Sequence, residues 1–181
     1  MLGLMQDQPL LISSLLTHAE RYHPTSEIVS VTCEGETVRS SWGQLARRAR
    51  QAARALLRLG VKPGDRVATL AWNTHRHLEL YYAAAGIGAV LHTVNPRLFP
   101  EQIEYILNHG GAEVLLFDLP FLGLVDGLAG KIPSFRHQVV LTDAVHLPEG
   151  RDGLASYETL IGAEDGTLIW PRFDERSASG L

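Results

Sequence analysis

Three observations predict an α/β fold, Rossmann-like, with a mostly parallel sheet, helices on both faces, and a small helix and hairpin at the N-terminus. Gly64 to Leu98 reads as one strand, helix, strand unit. Its two strand candidates, Val67 to Ala71 and Ala89 to Val94, are apolar runs with almost no alternation, as suits parallel strands covered on both faces. Two more such runs, Val114 to Phe117 and Gln138 to Leu141, follow at intervals long enough for a helix.

Taken in order, Ile12, Leu15, Leu16 and Ala19 repeat at helical spacing between Pro9 and Pro24, which predicts a helix over residues 10–22. Ile28 to Cys33 alternates, with Val29, Val31 and Cys33 on one side, and Glu34-Gly35-Glu36 turns it into Thr37 to Ser40 as a hairpin. Ser41 and Gln44 have capping-box spacing and open a long helix whose inward stripe is Leu45, Ala49, Ala52, Leu56 and Leu59, with Gly60 at the stop. In the central unit Leu78, Tyr81, Tyr82 and Ala85 form the expected buried stripe, and Arg76 and Glu79 are expected to point elsewhere. Asn73 or Thr74 caps this helix, and Gly86 and Gly88 end it. Pro100 starts a helix with Ile103, Ile106 and Leu107 inward. Asp118 is expected to cap a helix carrying Phe121, Leu122, Val125 and Leu128. From Asp143 onward the chain is rich in turn residues, with one helical piece near Tyr157 to Ile161 and no periodicity after Arg172. The expected division is 1–40 for the helix and hairpin, 41–142 for the βαβ core, and 143–181 for an irregular connector.

A chain of 181 residues is one ordinary domain, long enough to bury about 70% of its unfolded surface. A net charge of -4 argues against nucleic acid or anionic lipid as partner. The single cysteine, Cys33, excludes an internal disulfide framework and fits a reducing, cytoplasmic location. The N-terminal segment lacks a basic start and a long apolar run, so neither a signal peptide nor a transmembrane segment is expected.

Residues that could carry chemistry are few. Arg47, Arg48, Arg50, Arg54 and Arg58 share the long helix and are either a phosphate-binding face or a solvated surface, and the acidic net charge favours the surface. Gly86-Ile87-Gly88 closes a helix, whereas a dinucleotide loop must open one. His75 and His77 diverge by about 200° on a helix and have no further ligands nearby, so no metal site is assigned. Glu101 and Glu104 read as first-turn acids that suit the helix dipole. His92 and His109 have no Ser or Cys partner at short range. Open parallel sheets bind ligands beyond the carboxyl ends of their strands, and here those ends carry Trp72-Asn73, Thr93 to Arg97 and Asp118. Capping and turn roles account for the same residues.

At SWGQLARRARQAARALLRLGVKPGDRVATLAWN, HLELYYAAAGIGAVLHTVNPRL and PEQIEYILNHGGAEVLLFD, the sequence resembles the start of an adenylate-forming (AMP-binding) acyl-CoA synthetase of the fatty acyl-CoA ligase branch. The resemblance covers residues 10–142 and is densest over 41–118. It implies a parent enzyme that uses ATP and Mg2+ to convert a carboxylic acid to an acyl adenylate, releases pyrophosphate, and transfers the acyl group to coenzyme A. It further implies that the family's phosphate loop would begin just past Ser179-Gly180-Leu181, ahead of the adenine and magnesium motifs and the catalytic lysine. No catalytic residue is therefore carried over, cofactor-binding residues stay unassigned, and no cofactor is expected on this chain alone. Phe99 departs from the Ser or Thr common in relatives at that position, which removes a side-chain cap. The expected function is that of the N-terminal subdomain of such a ligase, inactive by itself, whose partners are the remainder of the parent enzyme and a second copy. The alternative is a standalone non-catalytic α/β module for binding or dimerisation.

Overall fold

The computed structural model describes residues 1, 3–151 and 153–181. Leu2 and Asp152, which fall in the expected N-terminal and connector segments, lie outside the described residues. Helix α1 (Ile12–Tyr22) leads into a hairpin of β1 (Glu27–Val31) and β2 (Thr37–Ser41), then α2 (Trp42–Arg58). There follow β3 (Arg66–Leu70), α3 (His75–Gly86), β4 (Val90–Thr93), α4 (Pro100–Gly110) and β5 (Val114–Phe117). A 3-10 turn (Leu119–Phe121), α5 (Leu122–Gly127), β6 (His137–Val140), β7 (Leu154–Ser156) and α6 (Tyr157–Gly162) complete it.

The main sheet has the order β4-β3-β5-β6-β7 and every pairing is parallel. Side chains alternate across it. Val67, Val114, Leu116 and Val139 face α2, α3 and α6, whereas Ala68, Leu70, Leu115, Phe117 and Val140 face α4 and α5. Both faces are thus covered, which is why the strands read as unbroken apolar runs. Helix α1 forms an outer layer, with Leu16 buried against Leu45, Ala46 and Ala49 of α2.

Local signals act as expected at several points. The Ser41 hydroxyl accepts from Gln44 N–H and the Gln44 side chain accepts from Ser41 N–H. Thr74, not Asn73, caps α3. Gly60, Gly88 and Gly111 take positive φ at the turns that end α2, α3 and α4. Phe99 supplies no side-chain cap to α4, and only the Gln102 side chain closes that end, accepting from Phe99 N–H at 3.2 Å.

Elsewhere the structure corrects the expectations. In α3 Ala85 is buried and Leu78 and Tyr82 pack against the α1–α2 cluster as expected, but Tyr81 is 44% exposed and Arg76, Glu79, Leu80, Ala83 and Ala84 are buried as well. Arg76 and Glu79 are drawn inward by the buried ion pairs described below, which hydrophobicity alone does not show. Ile12 and Leu15 of α1 are exposed, leaving Leu16 and Ser13 inward. On the hairpin Ile28 and Ser30 face in, and Val29 and Val31 face solvent. Asp118 makes no capping bond. The sheet has a fifth strand, β7, too short and too mixed to show a strand pattern. Gly180 adds a further parallel bridge on Leu91 at the β4 edge, with Ser179 and Leu181 backbone groups bonded to Leu91. Residues 154–161 also supply core side chains, Tyr157 and Ile161.

Candidate functional site

Because the five strands are parallel, their carboxyl ends open on one side, and the structure brings part of the expected set together there. Trp72 follows β3. Its ring packs on Phe121 at 5.3 Å between centroids, and the Arg97 guanidinium lies 5.8 Å above it. Trp72 is 39% exposed, so this stack forms an open shelf. Asp118 lies beneath, buried, and its Oδ2 accepts from Trp72 N–H at 2.6 Å, tying the end of β5 to the end of β3. Burial raises the Asp118 carboxyl, against the opposing Trp72 N–H. Desolvation and the neighbouring Asp118 carboxyl push the Cys33 thiol up to about 12, so Cys33 stands protonated beside Asp118. Asn73 is exposed. Asn95 Oδ1 accepts from Arg97 N–H at 3.0 Å, which is turn chemistry that also sets Arg97 in place.

The other candidates stay apart. His77 Nε2 and the Thr69 hydroxyl are hydrogen-bonded at 3.0 Å, and His75 faces the hairpin, its N–H donating to Ser30 Oγ. His92 is buried against Gly110, where a Cβ would come within 2.6 Å of its Nδ1. Burial, then Arg66, lowers its pKa, so it stays neutral in the core. Glu104 pairs with Lys131 at 3.5 Å and Glu101 is exposed. Gly86 allows Trp170 to lie on α3, because a Cβ there would meet the indole at 2.4 Å.

Sequence reasoning missed an ionic knot beside the strand ends. Glu79, only 1% exposed, is held by Arg48 Nε at 2.6 Å and by the Tyr157 hydroxyl at 2.8 Å. Arg48 also pairs with Glu158, and Arg76 bridges Glu158 at 2.9 Å to Glu34 at 2.8 Å while donating to the Leu141 carbonyl. The Thr142 hydroxyl donates to Glu34 at 2.6 Å. The knot fastens the hairpin turn to the end of β6. Desolvation pushes the Glu34 and Glu158 carboxyls up, but their arginine and hydroxyl donors outweigh it and hold both below the usual range. Desolvation wins at Glu79, which is raised. On the arginine face of α2, Arg47 and Arg58 are exposed as expected of a solvated surface, while Arg50 pairs with Glu20, and Arg54 and Arg58 with Glu164. The one available signal was that Arg76 and Glu79 share a stripe with Leu80 and Ala83.

Comparison with known proteins points one way. The family model described as "AMP-binding enzyme" matches residues 16–164. A 3-methylmercaptopropionyl-CoA ligase from Ruegeria lacuscaerulensis is 49% identical over the whole of this chain, which covers 34% of that protein. A medium-chain-fatty-acid–CoA ligase from Ectopseudomonas oleovorans is 46% identical, again over the whole chain and 33% of the relative. Among solved structures, an anthranilate CoA ligase, AuaEII, in complex with anthranoyl-AMP superposes with a TM-score of 0.86 over 97% of this chain and 32% of its own, at 23% identity, which speaks to the fold. The chain spans about a third of the length of the relatives it matches.

Proposed function

Since this chain belongs to the AMP-binding enzyme family, we propose that it is the N-terminal subdomain of an ATP-dependent fatty acyl-CoA ligase, which joins a carboxylic acid to AMP with release of pyrophosphate and passes the acyl group to coenzyme A. The observation that carries this reading is the 46% identity to a medium-chain-fatty-acid–CoA ligase across the whole chain. The fold supports it. The parallel bridge of Gly180 on Leu91 runs with β4, so that in a chain as long as the relatives the residues after position 181 would emerge beside Thr93 to Arg97, at the strand ends.

ATP, Mg2+ and coenzyme A belong to that longer enzyme, and residues 1–181 do not fit them by themselves. The carboxylate at the strand ends, Asp118, is buried and engaged by Trp72 N–H, and among the described residues no group of three or more His, Cys, Asp or Glu is placed to hold a metal ion. No chemical step is therefore assigned to these residues. What they do is build a rigid floor: Asp118 clamps two strand ends, and Trp72, Arg97 and Phe121 form the surface above it. Among the described residues no helix is long and apolar enough to cross a membrane. The cytoplasmic location we propose rests instead on the single free cysteine, Cys33, which suits a reducing compartment.

Acid-dependent exchange of labelled pyrophosphate into ATP tests the reading. The full-length protein is expected to support exchange with a fatty acid, and residues 1–181 alone are expected to give none. Absence of exchange with short-, medium- and long-chain acids in the full-length protein would overturn the ligase assignment; exchange by 1–181 would overturn the assignment of catalysis to a longer chain.

A second copy is the remaining partner. Ile12 and Leu15 are exposed on α1 while its other face is buried, which suits pairing of subunits. Ile12→Lys with Leu15→Glu should lower the sedimentation coefficient to that of a monomer, and an unchanged coefficient would exclude α1 as the interface. A standalone dimerisation module, without ligase activity, would show the same shift together with no exchange at any chain length.

A further inference from the structure

A cleft of about 450 Å³ lies between β2, α2, α3 and α6, and none of Trp72, Arg97, Phe121 and Asp118 lines it. Its floor is the ionic knot, where Glu79 and Glu158 are already paired with Arg48. Arg47 also lines the cleft and has no acidic partner among the described residues. Its position is built in. A Cβ on Gly166 would stand 2.5 Å from Arg47 Cγ and 3.3 Å from its carbonyl oxygen, so the glycine leaves room for the arginine stem. Gln44 spends its carbonyl oxygen on Ser41 N–H, which leaves its amide NH2 to donate. Val38 and Ile161 supply apolar surface. His75, 7% exposed, lines the cleft as well as a smaller one of about 240 Å³, and its buried Nδ1 has no hydrogen-bond partner.

We propose that this cleft binds a small amphipathic organic anion, with its charged end on Arg47 and Gln44 and its apolar body on Val38 and Ile161. The volume falls in the range of small-molecule sites. The sign of the charge follows from the pairing: Glu79 and Glu158 are each already engaged by Arg48 or Arg76, whereas Arg47 has no carboxylate partner among the described residues. A cation would meet Arg47 and the charged Arg48 with no free carboxylate to receive it. This site does not depend on the ligase reading.

The test is a titration of the protein with hexanesulfonate, a permanent anion with no carboxyl to activate, followed by amide chemical shifts. Saturable one-to-one binding is expected, with shifts in β2, α2 and α6. Arg47→Gln is expected to weaken it at least about tenfold, the cost of a lost charge-assisted hydrogen bond. Gly166→Ala, which crowds the arginine stem, should weaken it as well. Arg54→Gln is the control, because Arg54 pairs with Glu164 and does not line the cleft, and it should leave binding within about twofold. Circular dichroism of each variant checks that the fold is kept. Equal binding by Arg47→Gln, equal binding of neutral hexanol, or no saturable binding would each overturn the proposal.

Discussion

The two faces of one sheet are held in different ways. Against α4 and α5 the contacts are apolar: Leu70, Leu115, Phe117 and Val140 meet Ile103, Leu107 and Val125. Against α2, α3 and α6 a similar apolar core is overlaid by charge, with Arg48, Arg76, Glu34, Glu79 and Glu158 drawn into the interior. Alanines explain part of this. Ala52, Ala53, Ala83 and Ala84 let α2 and α3 approach closely, and the space beyond them is spanned by long charged side chains whose stems also pack. The apolar face depends on volume, and the charged face on completeness.

That contrast is sharpest in a pair of substitutions. Glu79→Ala leaves Arg48 with one carboxylate fewer in a buried setting and should cost about 3–5 kcal/mol, as should Phe117→Ala on the opposite face through its cavity. The two are then separated by rescue. Arg48→Met with Glu79→Leu and Tyr157→Phe should recover much of the loss in urea unfolding, because together they remove the charged pair and the buried hydroxyl that bonds it and leave Glu158 on Arg76, whereas no polar substitution should rescue Phe117→Ala. Failure of the triple variant to recover would mean that the knot contributes more than mutual neutralisation.

His75 probes the same face by pH. Burial, followed by Arg48 and Arg76, holds its pKa at about 4, below the ordinary histidine value of about 6.5. Between those values the unfolded chain binds a proton that the folded one refuses, so stability rises with pH across the window and the contribution is complete above it. His75→Asn should flatten that slope, removing up to about 3 kcal/mol of pH dependence, measured by urea midpoints at pH 4 and pH 7. An unchanged slope would place the proton elsewhere. Gly86→Ala forces a methyl into Trp170 and should cost about 1–3 kcal/mol, recovered by Trp170→Leu. The smallest effect belongs to the apolar face: Phe99→Ser should restore a cap to α4 and raise stability by about 1 kcal/mol in thermal melts.

The same contrast sets what the sequence made legible. Strands β3 to β5 stood out because burial on both faces makes them largely apolar, β6 by its Val139-Val140-Leu141 end, and α2 by its capping box and stripe. On α3 the expected stripe holds for Ala85, Leu78 and Tyr82 and fails at Tyr81, and the buried surface extends round to Arg76 and Glu79, which only a partner 31 residues away, Arg48, makes interior. Three residues of β7 join the sheet through β6 and not through any pattern of their own. At the strand ends Trp72, Arg97 and Asp118 could be located from the turn positions alone. Their mutual contacts could not, since Phe121 reaches Trp72 only after the 3-10 turn has redirected the chain.

The knot also orders events in time. Its members run from residue 34 to residue 158, so while the chain emerges from the ribosome the hairpin, α2 and α3 are made long before Glu158. Until α6 docks, Arg48 and Arg76 lack the shared counter-charge of Glu158 and Glu79 lacks the Tyr157 hydroxyl, although the Arg48–Glu79 and Arg76–Glu34 pairs are already within the chain made. The charged face of the sheet is therefore complete only once α6 has docked, and a chain stalled before residue 158 should be the species that chaperones and proteases recognise.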